Sequence, residues 1–221
     1  MWIAALVPAS AEPVVVVELY TSQGCSSCPP ADALMEEIAE DPRVIPLSLH
    51  VDYWDYIGWA DSFADPKFTA RQKAYARAAG SRTIYTPQMI VDGEDRIEGY
   101  DPEEIAEHLK KHLAESATVH LVVQRQGNVL VIRAEADPPL SAPVRVQLVR
   151  YKPEETVQIE RGENAGQTVT YRNIVTSWDG LGDWTGLQPL EISAHVEGPD
   201  QTVVILQEDG PASILAAARA D

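Results

Sequence analysis

The amino-acid sequence predicts an α/β domain followed by an all-β, sandwich-like domain. Up to about residue 116, apolar β-branched runs alternate with helical patterns, as in β-α-β units. From Thr118 onward the apolar residues recur with period two, and Pro and Gly turns separate the segments at spacings typical of a sandwich. We therefore predict one domain over residues 12–116 and a second over residues 117–221.

The first domain is predicted to begin with a strand, a turn and a helix. An apolar run covers residues 14–19, and a helix to about Glu40 follows Pro29-Pro30, which its first turn tolerates because those N–H groups have no intrahelical partner. Asp41-Pro42 ends this helix, and residues 44–51 predict a second buried strand. Short connections favour a right-handed β-α-β unit.

Caps and turns predict the remaining elements of this domain. Asp65-Pro66 indicates the start of a helix over residues 67–79, and Asp101-Pro102 indicates the start of another. Between them, an Asp-Gly turn joins two short antiparallel strands, the second at residues 96–99.

Alternating segments predict the strands of the second domain. A hairpin turns at residues 126–128, and further strands are expected at residues 144–151, 156–160, 168–175, 190–196 and 202–207.

Charge and length exclude several classes of function. Acidic residues outnumber basic ones by 34 to 17, so the formal charge of -17 argues against nucleic acids and anionic membranes as partners. No apolar run is long enough to span a bilayer. The first eleven residues resemble the end of a signal peptide, with a small-x-small pattern at Ala9-Ser10-Ala11, so we expect a periplasmic or secreted protein.

Both cysteines of the chain, Cys25 and Cys28, lie where the first strand turns into the first helix. Unpaired N–H groups and the helix dipole favour a thiolate at such a position, so we expect an accessible Cys25 to attack disulfides and Cys28 to resolve the mixed disulfide. A zinc site would need two more ligands of this kind, and the chain has no other cysteine.

Several segments resemble known families. Residues 18–21 followed by Cys-Ser-Ser-Cys-Pro resemble the strand, loop and C-x-x-C of glutaredoxins and other thioredoxin-fold proteins. The segments TSQGCSSCPPAD, HVDYWDYIGWAD, FTARQKAYA and YTPQMIVDG resemble more closely DUF1223, a bacterial secreted, thioredoxin-like family without an established activity. The resemblance implies a thioredoxin-like fold for the first domain and thiol chemistry, but no substrate.

The resemblance also implies substrate-binding residues. Thr86-Pro87 is similar to the stretch of thioredoxins that ends in a cis-proline before a strand, so we expect a cis bond and place Thr86, Pro87 and Gly24 in the substrate-binding set. The alternative for Pro87 is a plain strand-initiating proline.

Three residues are candidates for a proton relay to the thiols: Glu18, His50 and Asp52. Thioredoxins carry a buried acid near the position of Glu18, whereas strand alternation is equally compatible with a solvated carboxylate. His50 and Asp52 follow the second strand in an aromatic-rich segment, which lines a substrate groove or packs an insertion. His108 and His112 have metal-pair spacing but no identifiable partner, so a solvated helix face is favoured and no metal is expected.

We therefore predict an exported thiol–disulfide oxidoreductase that exchanges disulfides with protein or small-molecule thiols and needs no diffusible cofactor. Two alternatives remain open. One is a non-catalytic binding module whose disulfide is structural, and the other is a copper-handling thiol protein with His50 as third ligand.

Overall fold

The computed structural model describes residues 13–220, so the predicted signal-peptide end at residues 1–11 lies outside the described residues. The structure is mixed α/β and is dominated by one large sheet of eight strands. Within residues 13–220, no helix combines the length and the apolar character needed to cross a membrane.

The N-terminal elements lie within about two residues of their predicted bounds. They are β1 (Val15–Thr21), α1 (Pro29–Ile38), β2 (Val44–His50), a 3₁₀ turn (Asp55–Ile57), α2 (Pro66–Ala78), β3 (Gln88–Val91), β4 (Asp95–Glu98) and α3 (Pro102–Leu113). The predicted caps are confirmed: the Asp65 carboxylate accepts from Lys67 N, and the Asp101 carboxylate accepts from two N–H groups of the first turn of α3.

The C-terminal elements are all strands. They are β5 (Val119–Gln126), β6 (Val129–Ala136), β7 (Val144–Gln158), β8 (Thr168–Trp184), β9 (Leu190–His195), β10 (Gln201–Glu208) and β11 (Ile214–Arg219). The prediction of separate strands at residues 144–151 and 156–160 is wrong, because β7 runs through Pro153, which has no partner in the register with β8. The alanine-rich β11 was not predicted, since its composition favours a helix and its pairing with β10 is a tertiary contact.

The large sheet joins strands from both halves of the chain, in the order β11-β10-β7-β8-β2-β1-β3-β4. Its two halves meet where β2 pairs with β8 at Ser48 and Ile174, and the Ser48 hydroxyl donates to Arg172 O at 2.8 Å. Strands expected in a second domain therefore extend the sheet of the first. The division near residue 116 remains a prediction.

Three apolar clusters cover the two faces of this sheet. Helices α1 and α3 pack on the face that includes Val17 and Leu19, while α2 packs with Val16 and Tyr20 on the other. The small sheet β5-β6-β9 packs face to face against β7 and β10, which gives the C-terminal half a sandwich-like layer.

A buried carboxylate anchors α2 to the sheet. Glu18 has no exposed surface, so the alternative of a solvated side chain is wrong. Its oxygens accept two hydrogen bonds from Arg71, both at 2.7 Å, and one each from the hydroxyls of Tyr75 and Tyr20. Gln207 on β10 accepts from Arg71 and donates to the Tyr75 hydroxyl, so the network links the two halves of the chain.

Arg71→Met is expected to lower the free energy of unfolding by about 3 kcal/mol, because it leaves the Glu18 charge buried without its cation. Urea unfolding followed by tryptophan fluorescence measures this loss. The exposed Arg77 on the same helix supplies the matched control Arg77→Met. Equal losses in the two variants would contradict the structural role of the pair.

Candidate active site

Cys25 and Cys28 form a disulfide between the end of β1 and the start of α1. Cys28 is the N-cap of α1. Cys25 exposes 1% of its surface and Cys28 none, so the expectation of an exposed Cys25 is wrong for the oxidised protein. The fold brings the two cysteines together as predicted and covers both.

The start of α1 offers fewer free N–H groups to a thiolate than the sequence suggested. Pro29 and Pro30 have no N–H, and the next two N–H groups, of Ala31 and Asp32, donate to Cys28 O at 2.9 and 3.0 Å. The polar group beside Cys25 is the Ser27 hydroxyl, whose oxygen lies 3.4 Å from Cys25 Sγ. Stabilisation of a Cys25 thiolate therefore depends on Ser27 and on the helix dipole.

The Thr86-Pro87 bond is cis, as the resemblance implied. Pro87 is buried, and the Ser27 hydroxyl donates to Thr86 O at 3.5 Å, so this loop lies against the cysteine loop. The Trp54 indole N–H donates to the Thr86 hydroxyl at 2.7 Å. That Thr86 and Pro87 bind substrate remains a prediction.

Gly24 is buried against the aromatic segment. A Cβ atom at this position would lie 3.1 Å from Ile57 Cδ1 and 3.2 Å from Trp54 Cβ, which is tighter than ordinary packing. A larger residue here would therefore have to displace Ile57 or Trp54, and substrate contact by Gly24 remains a prediction.

The aromatic segment after β2 holds the cysteine loop in place. The Trp59 indole N–H donates to Gln23 Oε1 at 2.8 Å, and Gln23 N donates to the Asp61 carboxylate at 2.7 Å. Tyr56 lies parallel to Trp54 at 6.4 Å between ring centroids and is 81% exposed. The aromatic segment thus packs against the cysteine loop, in agreement with the alternative that its aromatic residues serve packing. The exposed Tyr56 ring forms an aromatic surface beside this loop.

A buried polar cluster of His50, Asp61 and Asp32 lies near the disulfide. His50 Nδ1 is 2.8 Å from Asp61 Oδ2, and the imidazole packs edge-on against Phe63 and Tyr171. Within residues 13–220, His50 Nε2 has no hydrogen-bond partner. Burial raises the pKa of Asp61, but the His50 charge and hydrogen bonds outweigh it and hold that pKa below its usual value.

Asp32 is the site residue that the sequence analysis missed. It lies one helical turn after Cys28, so both side chains project from the same side of α1. The carboxyl group is buried, and its Oδ1 has no partner among the described residues. Burial raises the pKa of Asp32 to about 7, against the opposing charge of His50. The i, i+4 spacing from Cys28 is the sequence signal that could have indicated it.

The structure separates the three predicted relay residues. Glu18 lies on the α2 face of the sheet with its oxygens bound to Arg71, Tyr75 and Tyr20, and the Asp52 carboxylate accepts from the Thr69 hydroxyl at 2.6 Å. His50 alone lies in the cluster with Asp32. A relay role for any of the three remains a prediction.

His112 is not on a solvated helix face, and that expectation is wrong. It is buried, with Nε2 2.7 Å from Asp95 Oδ2, and His108 Nδ1 approaches the same carboxylate oxygen at 2.9 Å. Within the described part of the chain, no group of three or more His, Cys, Asp or Glu residues is placed to hold a metal ion.

The loop between β7 and β8, residues 159–167, packs on the cysteine loop. Asn164 is 2% exposed, and its amide donates to Gln23 O at 3.0 Å and to Cys25 O at 2.9 Å. Glu163 Oε2 accepts from the Ser26 hydroxyl at 2.6 Å. These residues lie well over 100 positions from the cysteines, so no local pattern could have indicated them.

Fold and site together define a mixed α/β protein with a buried C-x-x-C disulfide at a strand-to-helix turn. The model of the family described as "Protein of unknown function (DUF1223)" matches residues 16–207, and the chain belongs to this family.

Two solved structures are similar to this chain. The crystal structure of protein AGR_C_4864 from Agrobacterium tumefaciens shares 32% identity with a TM-score of 0.81, and the match covers 95% of each chain. HBP35 of Porphyromonas gingivalis shares 14% identity with a TM-score of 0.70, over 94% of this chain and 74% of that one, which shows a similar fold alone. No curated protein matches the chain.

Asp32→Asn is expected to change the pH dependence of stability. Because the pKa of Asp32 is raised to about 7 in the folded protein and is about 3.9 when unfolded, only the folded state binds this proton between those pH values. The unfolding free energy of the parent therefore falls, relative to the variant, by up to about 4 kcal/mol as pH rises from 4 to 7. Urea titrations across this range measure the difference, and a pH-independent difference would contradict the assignment.

Proposed function

We propose that the protein is an exported thiol–disulfide oxidoreductase with a thioredoxin-like fold. The observation that carries this proposal is the Cys25–Cys28 disulfide, held at a strand-to-helix turn with the cis Thr86-Pro87 loop against it. A pair spaced by two residues closes a very small loop and contributes little stability as a structural crosslink, which favours a redox role.

The order of elements supports the thioredoxin-like part of the proposal. β1 and β2 pair in parallel across α1, while β3 pairs antiparallel with both β1 and β4, and α3 follows. The cis-proline directly precedes β3, at the position that the sequence resemblance implied.

The chemistry is a two-electron exchange. A partner thiolate attacks Cys25 Sγ, the Cys25–Cys28 bond breaks, and Cys28 leaves as a thiolate that takes up a proton. A second partner thiolate then attacks the partner sulfur of the mixed disulfide and displaces the Cys25 thiolate. The partner is oxidised to its disulfide and the protein is reduced to the dithiol, and the reverse sequence oxidises the protein.

Asp32 is the group we assign to the Cys28 proton. A carboxyl group with a pKa of about 7 is substantially populated in both protonation states at neutral pH, so it can give the proton to Cys28 and take it back. Its position one turn beyond Cys28 supports this role, as does its Oδ1, which has no hydrogen-bond partner in the described part of the chain.

The partners we propose are protein or small-molecule thiols and disulfides in the periplasm or outside the cell. The signal-peptide pattern supports export, and the formal charge of -17 disfavours nucleic acid. No diffusible cofactor enters the reaction.

Cys28→Ser is expected to trap a mixed disulfide on Cys25, and Cys25→Ser is expected to abolish it, because only the first variant keeps the attacking sulfur and lacks the resolving one. Mass spectrometry after incubation with oxidised glutathione checks both variants. In parallel, the parent protein should equilibrate with glutathione or dithiothreitol buffers. A pair with no redox equilibrium across the physiological range would overturn the function.

Asp32→Asn is expected to slow the resolving step about a hundredfold, because the amide cannot accept the Cys28 proton. Reaction of the reduced protein with 5,5′-dithiobis(2-nitrobenzoate) separates the steps: the first thiolate release reports attack by Cys25, and the second reports resolution by Cys28. The second phase of the parent should accelerate as pH rises through about 7, and that rise should be absent in the variant. Two identical profiles would exclude Asp32 from the proton transfer.

The second candidate is a thioredoxin-fold binding module whose disulfide is structural. The burial of both cysteines and the exposed Tyr56 ring favour it. Alkylation rates of the reduced protein against pH discriminate the two functions. A Cys25 pKa near the unperturbed value of about 8.5 supports the binding module, and a depressed pKa supports the oxidoreductase.

A further inference from the structure

The β7–β8 loop is ordered by its own hydrogen bonds and packs against the proposed redox site. Its backbone is closed by hydrogen bonds from Ile159 N to Gln167 O and from Gly166 N to Ile159 O, at 2.9 and 2.7 Å. Gly162 has a φ of +81°, and a Cβ there would lie 3.3 Å from Trp59 Cβ, so the loop backbone is packed tightly against the aromatic segment.

Asn164 fixes the other side of the loop. Both hydrogen bonds of its buried amide go to carbonyls of the cysteine loop, and its Oδ1 accepts from Gln167 at 3.2 Å. Glu163 therefore stands between two anchored residues, Gly162 and Asn164, and its carboxylate is held over Ser26.

The charge of Glu163 is not neutralised by the protein. Its carboxylate accepts one hydrogen bond, from the Ser26 hydroxyl, and no Lys, Arg or His of residues 13–220 forms an ion pair with it, Arg161 of the same loop included. Ser26 directly follows Cys25, so the negative charge of Glu163 is hydrogen-bonded to the residue next to the sulfur that a partner must reach. The buried Asp61 carboxylate beneath is paired with His50.

We propose that Glu163 makes the redox site selective for thiols and disulfides that carry a positive charge next to sulfur, such as peptide cysteines flanked by Lys or Arg. This inference rests on the proposed function. In the attack on Cys25 Sγ, a cationic substituent lies near the Glu163 carboxylate while the new S–S bond forms and the Cys28 thiolate departs with the electron pair. An anionic thiol brings a second negative charge to the same place and is repelled.

The test compares reduction of the Cys25–Cys28 disulfide by three small thiols: cationic cysteamine, neutral 2-mercaptoethanol and anionic 2-mercaptoethanesulfonate. Glu163→Gln keeps the hydrogen-bonding shape and removes the charge. At low ionic strength, the ratio of the cysteamine rate to the sulfonate rate should fall about three- to tenfold in this variant, and about 1 M salt should suppress most of the difference. Each thiol is compared between the parent and the variant, so its own pKa affects both rates equally and does not change the comparison.

Two variants serve as controls. Glu160→Gln removes an exposed carboxylate of the same stretch that forms no hydrogen bond or ion pair with any described residue, and it should leave the ratio unchanged. Glu163→Asp keeps the charge and should retain most of the selectivity. An equal fall in Glu160→Gln and Glu163→Gln would assign the effect to overall charge and overturn the inference.

The outcomes separate this inference from the proposed function. If none of the three thiols reduces the parent disulfide, the oxidoreductase itself fails. If all three reduce it and Glu163→Gln leaves their ratio unchanged, the function stands and the selectivity of Glu163 is wrong.

Discussion

The buried Glu18 carboxylate is the constraint on which the arrangement of the sheet depends. A charge without exposed surface is tolerated only when donors surround it, and here those donors come from α2 and from β1 itself. Arg71 in turn lies 3.7 Å from the centroid of the Trp178 ring and donates to Gln207, so the pair is completed by β8 and β10. Gln207 and Trp178 thus contact the partners of Glu18 and not Glu18 itself, and they link the C-terminal strands to the buried ion pair of the N-terminal half.

The two buried acidic groups on opposite faces of β1 differ in how well they are satisfied. Glu18 accepts four hydrogen bonds, a geometry that fixes its charge and leaves it little chemistry to perform. Asp32 has a pKa of about 7, and within residues 13–220 one of its oxygens and one ring nitrogen of its neighbour His50 have no hydrogen-bond partner. Unsatisfied buried polar groups cost free energy, so they are expected where a reaction uses them. This contrast, together with the position of Asp32 one turn beyond Cys28, is why our proposal assigns the proton transfer to this residue and not to Glu18.

The predictions from sequence agree with the structure for features that neighbouring residues determine. They differ from it for features that depend on contacts between distant parts of the chain. The helix caps at Asp65 and Asp101 and the cysteine turn are set by neighbouring residues, and the family resemblance supplied the cis bond before Pro87. The packing around Cys25 was not predictable, because Asn164, which donates to Cys25 O, comes from a loop 139 residues further along the chain. Strand periodicity could not show that β7 continues through Pro153, since the tolerance for a missing N–H depends on the partner strand. For the same reason it could not assign β8 to the sheet of β2.

The length of β7 and β8 gives the C-terminal half a part in the site. The two strands run for 15 and 17 residues, longer than most strands in globular proteins, and the loop at their end reaches the cysteines. β8 joins the N-terminal strands where Ile174 pairs with β2. The β7–β8 hairpin continues beyond this point, further than packing of the sandwich-like layer alone would need. The extension places the buried Asn164 amide on the backbone of the cysteine loop and the Glu163 carboxylate on the Ser26 hydroxyl. The thioredoxin-like part thus supplies the sulfur chemistry in our proposal, and the β part supplies the surface that a partner meets first.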